Sequence, residues 1–175
     1  MVIYAGLLLW LIIGNILLNK TKAISEFPSV SVIVAIRNGE NNLPHLIEDL
    51  SGQKYRGKLE FILVDDESAD ATQNIIQKIS AKDKRFIYET STNGDVSLQL
   101  KKRALDAGIN IAQNEWLLFT DVDCRVQSDW VTGMAYYFSS CNDYVIGHSE
   151  VLSGSTLLTL FQSVDYFLLF VTARG

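Results

Sequence analysis

The sequence predicts an α/β fold in which a mostly parallel sheet is flanked by helices, and three observations carry that expectation. Short apolar runs rich in β-branched residues alternate with segments whose apolar residues recur at helical spacing, the pattern of strand–helix–strand units. The first run, Val30 to Ile36, is apolar on both faces, as a central strand covered by helices on either side must be. Two later runs, Leu59 to Val64 and Trp116 to Phe119, drive straight into carboxylates, at the strand ends where open α/β sheets bind ligands. With 175 residues, the chain has room for one ordinary domain and a good core.

The elements follow in order. After the strand 30–36, Arg37-Asn38-Gly39-Glu40-Asn41-Asn42 forms a tight polar loop. Leu43, Leu46, Ile47 and Leu50 then mark a helix that Asn41 or Asn42 is placed to cap, and Ser51-Gly52-Gln53 ends it. The strand 59–64 runs into Asp65-Asp66-Glu67, after which Ser68 and Asp70 are positioned to cap a helix with the stripe Ile75, Ile76, Ile79. Residues 85–89 form a third strand, and 91–97 a flexible loop. A helix from Leu98 carries Lys101, Lys102, Arg103, Ala104, Leu105 and Ile109 up to the strand 116–119. Beyond Asp123, Ser128 is placed to cap a helix through Trp130, Met134, Tyr137 and Phe138, and 144–147 forms another strand.

The termini depart from a soluble pattern. Met1 to Leu18 is almost unbroken apolar sequence, near the lower limit of the ~17–25 residues that cross a bilayer. Lys20 and Lys22 follow at once, which places that side in the cytoplasm. No basic stretch precedes the run and no small-x-small site follows it, so a membrane anchor over 1–22 fits better than a cleaved signal peptide. Residues 23–28 are a linker to a domain over 29–152, and 153–175 form an amphipathic or interfacial helix with Leu157, Leu158, Leu160, Phe161, Val164, Phe167, Leu168 and Val171. The localisation expected is the membrane, with a single span and the domain on the cytoplasmic side.

Composition excludes some classes. A formal net charge of −5 and the lack of any Lys/Arg block argue against nucleic-acid binding. Cys124 and Cys141 match no metal spacing. There is no Gly-x-Gly-x-x-Gly after a strand, no Walker A loop and no Gly-x-Ser-x-Gly elbow.

The acids carry the chemistry. Asp121 and Asp123 are spaced so that, on a chain leaving a strand, both side chains point one way and can share a cation; hard oxygen donors suit Mg²⁺ or Mn²⁺. Placed at neighbouring strand ends, Asp65-Asp66 and Asp121-x-Asp123 would repel one another unless something positive sat among them, and a metal-bound diphosphate answers that need. Lys101-Lys102-Arg103 offers a second cation for phosphate.

The stretches 30–38 (VSVIVAIRN), 61–72 (FILVDDESADAT), 101–108 (KKRALDAG) and 116–124 (WLLFTDVDC), in this order, resemble a family 2 glycosyltransferase with the GT-A fold, of the membrane-associated bacterial type, over about residues 28–150. The resemblance implies inverting transfer of a sugar from a nucleotide-diphosphate sugar, with UDP as the family-level default, to an acceptor hydroxyl on a glycan or lipid-linked molecule. It implies that Ala35, Ile36, Arg37 and Asp66, or its neighbour Asp65, hold the nucleoside, that Lys101 faces the diphosphate, and that Asp121 and Asp123 bind the metal. The chain departs from the pattern at Gly39, with Glu40 one step late, at Leu100, where glycine is common, and at Asp106, where asparagine is common. The resemblance also implies a general base well beyond the acid pair. Glu150 and Asp165 are candidates only by default, no Gln-x-x-Arg-Trp is present, and the chain is therefore expected to be a fragment whose base lies beyond Gly175.

Two rival readings are weighed beside this one. A haloacid-dehalogenase-like phosphatase would use Asp121 as nucleophile and Asp123 as acid, but its motif should open the domain, and Asp65-Asp66 would have no task. A membrane-attached domain that binds nucleotide without transferring sugar accounts for the missing base.

Overall fold

The computed structural model describes residues 27–138, 144–147, 149, 156 and 159–164. The chain divides into two compact units, Ile24–Cys141 and Met1–Ala23 with Asn142–Gly175. The first contains β1 (Val30–Ile36), α1 (Leu43–Ser51), β2 (Leu59–Asp65), α2 (Thr72–Lys82), β3 (Phe86–Thr90), a 3-10 turn (Ser91–Asn93), α3 (Lys101–Ile111), β4 (Trp116–Phe119) and α4 (Trp130–Ala135). Its four strands are all parallel and lie in the order β3-β2-β1-β4.

Strand alternation sorts the core into two layers. Val30, Val32, Val34 and Ile36 of β1 with Phe61 and Leu63 of β2 meet Leu43, Leu46 and Leu50 of α1, Ile76 of α2 and Val131 of α4. The opposite face, Ile33, Ile62 and Val64, meets Ala104 and Ala107 of α3. Small residues bring that helix close: a Cβ on Gly108 would stand 2.6 Å from Ile33 Cγ2 and 3.0 Å from Val64 Cγ2.

The helix caps depart from the expected neighbours to different degrees. Asn42 occupies the N-cap of α1 without a side-chain hydrogen bond. Ala71 holds that position in α2, where Asp70 Oδ1 accepts the Thr72 N–H at 3.0 Å but Ser68 turns away to Asn38. Ser128 does not cap α4: Asp129 is the N-cap, and the Val131 N–H is taken by Gln53 Oε1 at 3.1 Å. Gln53 also donates to the carbonyls of Asp49 (3.1 Å) and Gln127 (2.7 Å), so a residue expected only to end a helix instead joins α1 to the start of α4. Helix α3 begins at Lys101, three residues later than expected, and 144–147 has no strand structure, with no neighbouring strand recorded for it.

The expected membrane anchor, residues 1–22, lies outside the described residues. Among the described residues, no helix is long and apolar enough to cross a membrane. Of the expected helix over 153–175, residues 159–164 are described and are helical, and Thr156 caps them by accepting the Thr159 N–H at 3.3 Å.

At the amino-terminal edge of the sheet a buried carboxylate is fully engaged. Glu60 Oε1 accepts from Ser31 Oγ at 2.6 Å and from the Gln113 N–H at 2.8 Å, tying β1, β2 and the end of α3 together. Replacing Glu60 by alanine strands the buried Ser31 hydroxyl and releases the part-buried Gln113 N–H, and the expected loss is about 1–3 kcal/mol. Urea titration should show it as a lower midpoint with an unchanged slope.

Candidate functional site

The strand order reverses at β1: the chain winds outward through β2 and β3, then returns through α3 to place β4 on the other side of β1. Such a switch point opens a crevice at the carboxyl ends of the strands. Here a cavity of about 240 Å³ lies there, lined by Ala35, Ile36, Arg37, Asp66, Leu100 and Lys101.

The six lining residues come from three separate connections. Ala35 and Ile36 end β1, and Arg37 begins the loop after it. Asp66 follows β2, its amide donating to the Ile36 carbonyl at 2.7 Å. Its carboxylate is 8% exposed and stands 3.9 Å from the Arg37 guanidinium. Leu100 and Lys101 open α3, and the Lys101 ammonium reaches out of the cavity to Asp121 Oδ1.

Two loops are laced together beneath this cavity. Asn38 N–H donates to Ser68 Oγ (2.9 Å), Gly39 N–H to Thr72 Oγ1 (2.8 Å) and Glu40 N–H to Asp70 Oδ2 (3.0 Å). In return the amides of Ala69 and Ala71 donate to Asn38 Oδ1 (2.8 Å) and Glu40 Oε2 (3.0 Å). Desolvation pushes the Asp70 carboxyl up, but the hydrogen bonds from Thr72 and the Glu40 amide outweigh it and hold the group below the usual carboxylate range.

The acid pair sits on a turn. Strand β4 ends at Phe119, and the Cys124 N–H closes onto the Asp121 carbonyl at 3.1 Å, so Asp121 and Asp123 occupy a β-turn and not an extended strand. Both are exposed. Val122 between them packs toward the β1 loop, where Gly39 makes room: a Cβ there would stand 2.7 Å from Ile36 Cγ2 and 3.0 Å from Val122 Cγ2. On the far side of the turn, Arg125 forks onto Asp49 of α1 (2.6 and 2.8 Å), and the Val126 N–H adds a third bond at 3.1 Å.

The predicted site residues are therefore only partly gathered. Ala35, Ile36, Arg37, Asp66 and Lys101 share one cavity, and Lys101 links it to Asp121. Asp65 does not line it; it is buried at the end of β2, with Oδ1 lacking a hydrogen-bond partner. The two acid pairs are not at neighbouring strand ends, because β1 separates β2 from β4, which puts those strands roughly 10 Å apart. Among the described residues, no group of three or more His, Cys, Asp or Glu could hold a metal ion. Asp121 and Asp123 offer hard oxygen donors that suit Mg²⁺ or Mn²⁺ when phosphate and water fill the remaining positions. Glu150 and Asp165 lie outside the described residues. Sequence reasoning missed the Asp49–Arg125 fork, whose partners lie 76 positions apart with no local pattern to join them. It noticed Leu100 only as a departure.

A family model described as Glycosyl transferase family 2 matches residues 31–164. The chain is 30% identical over 151 residues to an uncharacterised glycosyltransferase of Haemophilus influenzae, covering 82% of this chain and 58% of that protein. It is 33% identical over 101 residues to the 4,4'-diaponeurosporenoate glycosyltransferase of Staphylococcus haemolyticus, covering 58% of this chain and 26% of that protein. This chain thus spans well under two thirds of the length of either relative. Among solved structures it is similar in fold to the mannosyltransferase PcManGT of Pyrobaculum calidifontis, in complex with GDP-Man and Mn²⁺. That likeness has a TM-score of 0.60 at 21% identity, over 78% of this chain and 41% of that one.

The Arg125 fork makes stability pH-dependent. The hydrogen bonds from Arg125 hold the Asp49 carboxyl below the usual range, against burial and with help from the Val126 amide. A depressed carboxylate contributes stability above its unfolded pKa of about 3.9 and loses it as pH falls through the folded value. Arg125→Met should therefore lower Tm by about 2–4 °C at pH 7, half-exposed pairs being weak. Calorimetric melts of both proteins should converge as the pH falls through the lowered pKa of Asp49.

Proposed function

This chain belongs to glycosyl transferase family 2, and from that premise we propose that it moves a sugar, with inversion, from a nucleotide-diphosphate sugar to an acceptor hydroxyl. The observation that carries the reading is the cavity at the strand-order reversal. One wall holds a nearly buried carboxylate, Asp66, and another holds a lysine whose ammonium meets an acid of the Asp-x-Asp turn.

The chain's own residues divide the donor between them. The Asp66 carboxylate accepts from an N–H of the base, with the Arg37 guanidinium 3.9 Å from it. Ala35 presents apolar surface to the nucleoside, and the buried Ile36 backs that wall from the core. Lys101 supplies positive charge for the diphosphate. Asp121 and Asp123 would hold Mg²⁺ or Mn²⁺, which when bound neutralises charge growing on the departing diphosphate. The solved neighbour with GDP-Man and Mn²⁺ supports this donor chemistry as a likeness of fold. UDP is the donor nucleotide proposed, and the acceptor is a glycan or lipid-linked hydroxyl. Its proton must leave as it attacks, a task for a carboxylate base worth typically ~10²–10⁴-fold. None of the described residues is assigned to it.

A membrane location is part of the proposal. The apolar run Met1 to Leu18 followed by Lys20 and Lys22 supports one span with the domain on the cytoplasmic side. The expressed chain should stay in the membrane pellet through an alkaline carbonate wash; full release into the supernatant would refute the anchor.

Titration calorimetry with UDP and Mn²⁺, followed by release of sugar from UDP-sugar, tests the donor site. Asp123→Ala should weaken Mn²⁺-dependent UDP binding at least tenfold, and an affinity within twofold of the natural chain would sink the metal assignment. Tight binding without sugar release would favour a nucleotide-binding domain over a transferase.

A further inference from the structure

Among the described residues, three non-glycine positions have positive φ: Asn38 (52°), Glu67 (54°) and Leu100 (53°). Each adjoins a residue of the cavity, namely Arg37, Asp66 and Lys101. Asparagine visits this region readily, and Glu67 is an exposed loop residue whose side chain is not on the cavity wall. Leu100 is different. Its ψ of −140° puts it in territory natural to glycine, where a Cβ crowds the neighbouring backbone. It is also the only one of the three whose residue lines the cavity.

The fold does not need a leucine there. The Leu100 carbonyl accepts the N–H groups of Arg103 (2.9 Å) and Ala104 (3.3 Å) to open α3, and any residue supplies a carbonyl. The residue is 66% exposed, so its isobutyl group adds little to the core. Glycine, common at this position in the stretch the sequence resembles, would carry the same backbone without strain. The side chain therefore costs the fold something, and the return must be sought in the cavity it borders.

We propose that Leu100 is a specificity-determining residue of the donor cleft, an apolar wall against which the nucleoside of a nucleoside diphosphate packs. This rests on the donor-cleft reading above. The cavity's accessible apolar wall is made by Ala35 and Leu100, with the buried Ile36 behind it; its charged groups are Arg37 with Asp66, and Lys101, which reaches out of it to Asp121. A diphosphate has no face to place on leucine. A base and ribose do, and the neighbouring Lys101 ties the same short segment to the phosphate end.

The full chain with Leu100→Gly, Leu100→Ala and Glu67→Gly tests this by calorimetric melting and by titration with UDP, GDP and inorganic pyrophosphate in Mn²⁺. Leu100→Gly relieves the backbone and should raise Tm by about 2–4 °C. It should also weaken nucleotide binding about five- to tenfold, the contribution of one apolar side chain, while pyrophosphate affinity stays within twofold. Leu100→Ala keeps the Cβ and should lose the same affinity with no gain in Tm. Glu67→Gly should raise Tm and leave nucleotide affinity unchanged. Nucleotide affinities within twofold of the natural chain in both Leu100 variants overturn the proposal. A parallel loss of nucleotide and pyrophosphate also overturns it, because the substitution would then be acting through Lys101. Binding of neither UDP nor GDP by the natural chain overturns the donor-cleft reading and, with it, this one.

Discussion

The structure depends on how the backbone amides are satisfied where the parallel ladder stops. At the carboxyl ends of β1 and β2 the chain must leave the sheet, and each amide that loses its strand partner needs another acceptor. Ser68, Asp70 and Thr72 provide acceptors for residues 38–40, while Asn38 and Glu40 provide them for Ala69 and Ala71. The exchange is reciprocal, so neither loop holds its shape without the other. It sets Arg37 and Asp66 side by side as walls of one cavity. Glu40, displaced one step from its expected place, still reaches the Ala71 amide, so the departure at Gly39 leaves this lacing intact.

That lacing offsets the cost of two of the three described non-glycine residues at positive φ, Asn38 within it and Glu67 beside it. Non-glycine residues at positive φ cost of order 1–3 kcal/mol when held in sparsely populated regions, and the described ones all border this crevice. A loop free to relax would not keep them. Here a buried sheet fixes one end of each loop, and a helix or a hydrogen-bonded partner loop fixes the other. Rigid loops of this kind let a short peptide segment offer a side chain at a set position to a ligand.

Local pattern made much of this legible. Apolar runs marked three of the strands, with β-branched residues in β1 and β2, and the apolar stripe of α1 fell at Leu43, Leu46 and Leu50 as the spacing requires. What stayed hidden was whatever depends on residues distant in sequence. A strand–helix–strand pattern implies parallel neighbours but not their order, so nothing local said that β1 would lie between the strands carrying the two acid pairs. The cap of α4 comes from Gln53 across 78 positions, and this tertiary bond prevailed over the local candidate Ser128. Residues 144–147 have the β-branched look of a strand, yet no recorded strand pairs with them, and propensity alone does not make one.

The separation of the acid pairs changes how the site must work. Carboxylates at adjacent strand ends would crowd one cation; carboxylates flanking β1 instead leave a gap roughly two strand spacings wide. In the proposed reading a nucleoside diphosphate meets this arrangement with its base toward Asp66 and its phosphates toward the turn. Lys101 already joins the two ends, lining the cavity with Asp66 and meeting Asp121 on the turn. The turn is held from both sides, by Val122 against Gly39 and by Arg125 on Asp49, so Asp121 and Asp123 keep their distance from Asp66 without any covalent link between the loops. What the fold holds constant is thus the placement of the two acid-bearing loops on either side of β1, and the proposed donor is a ligand with two chemically distinct ends to match them.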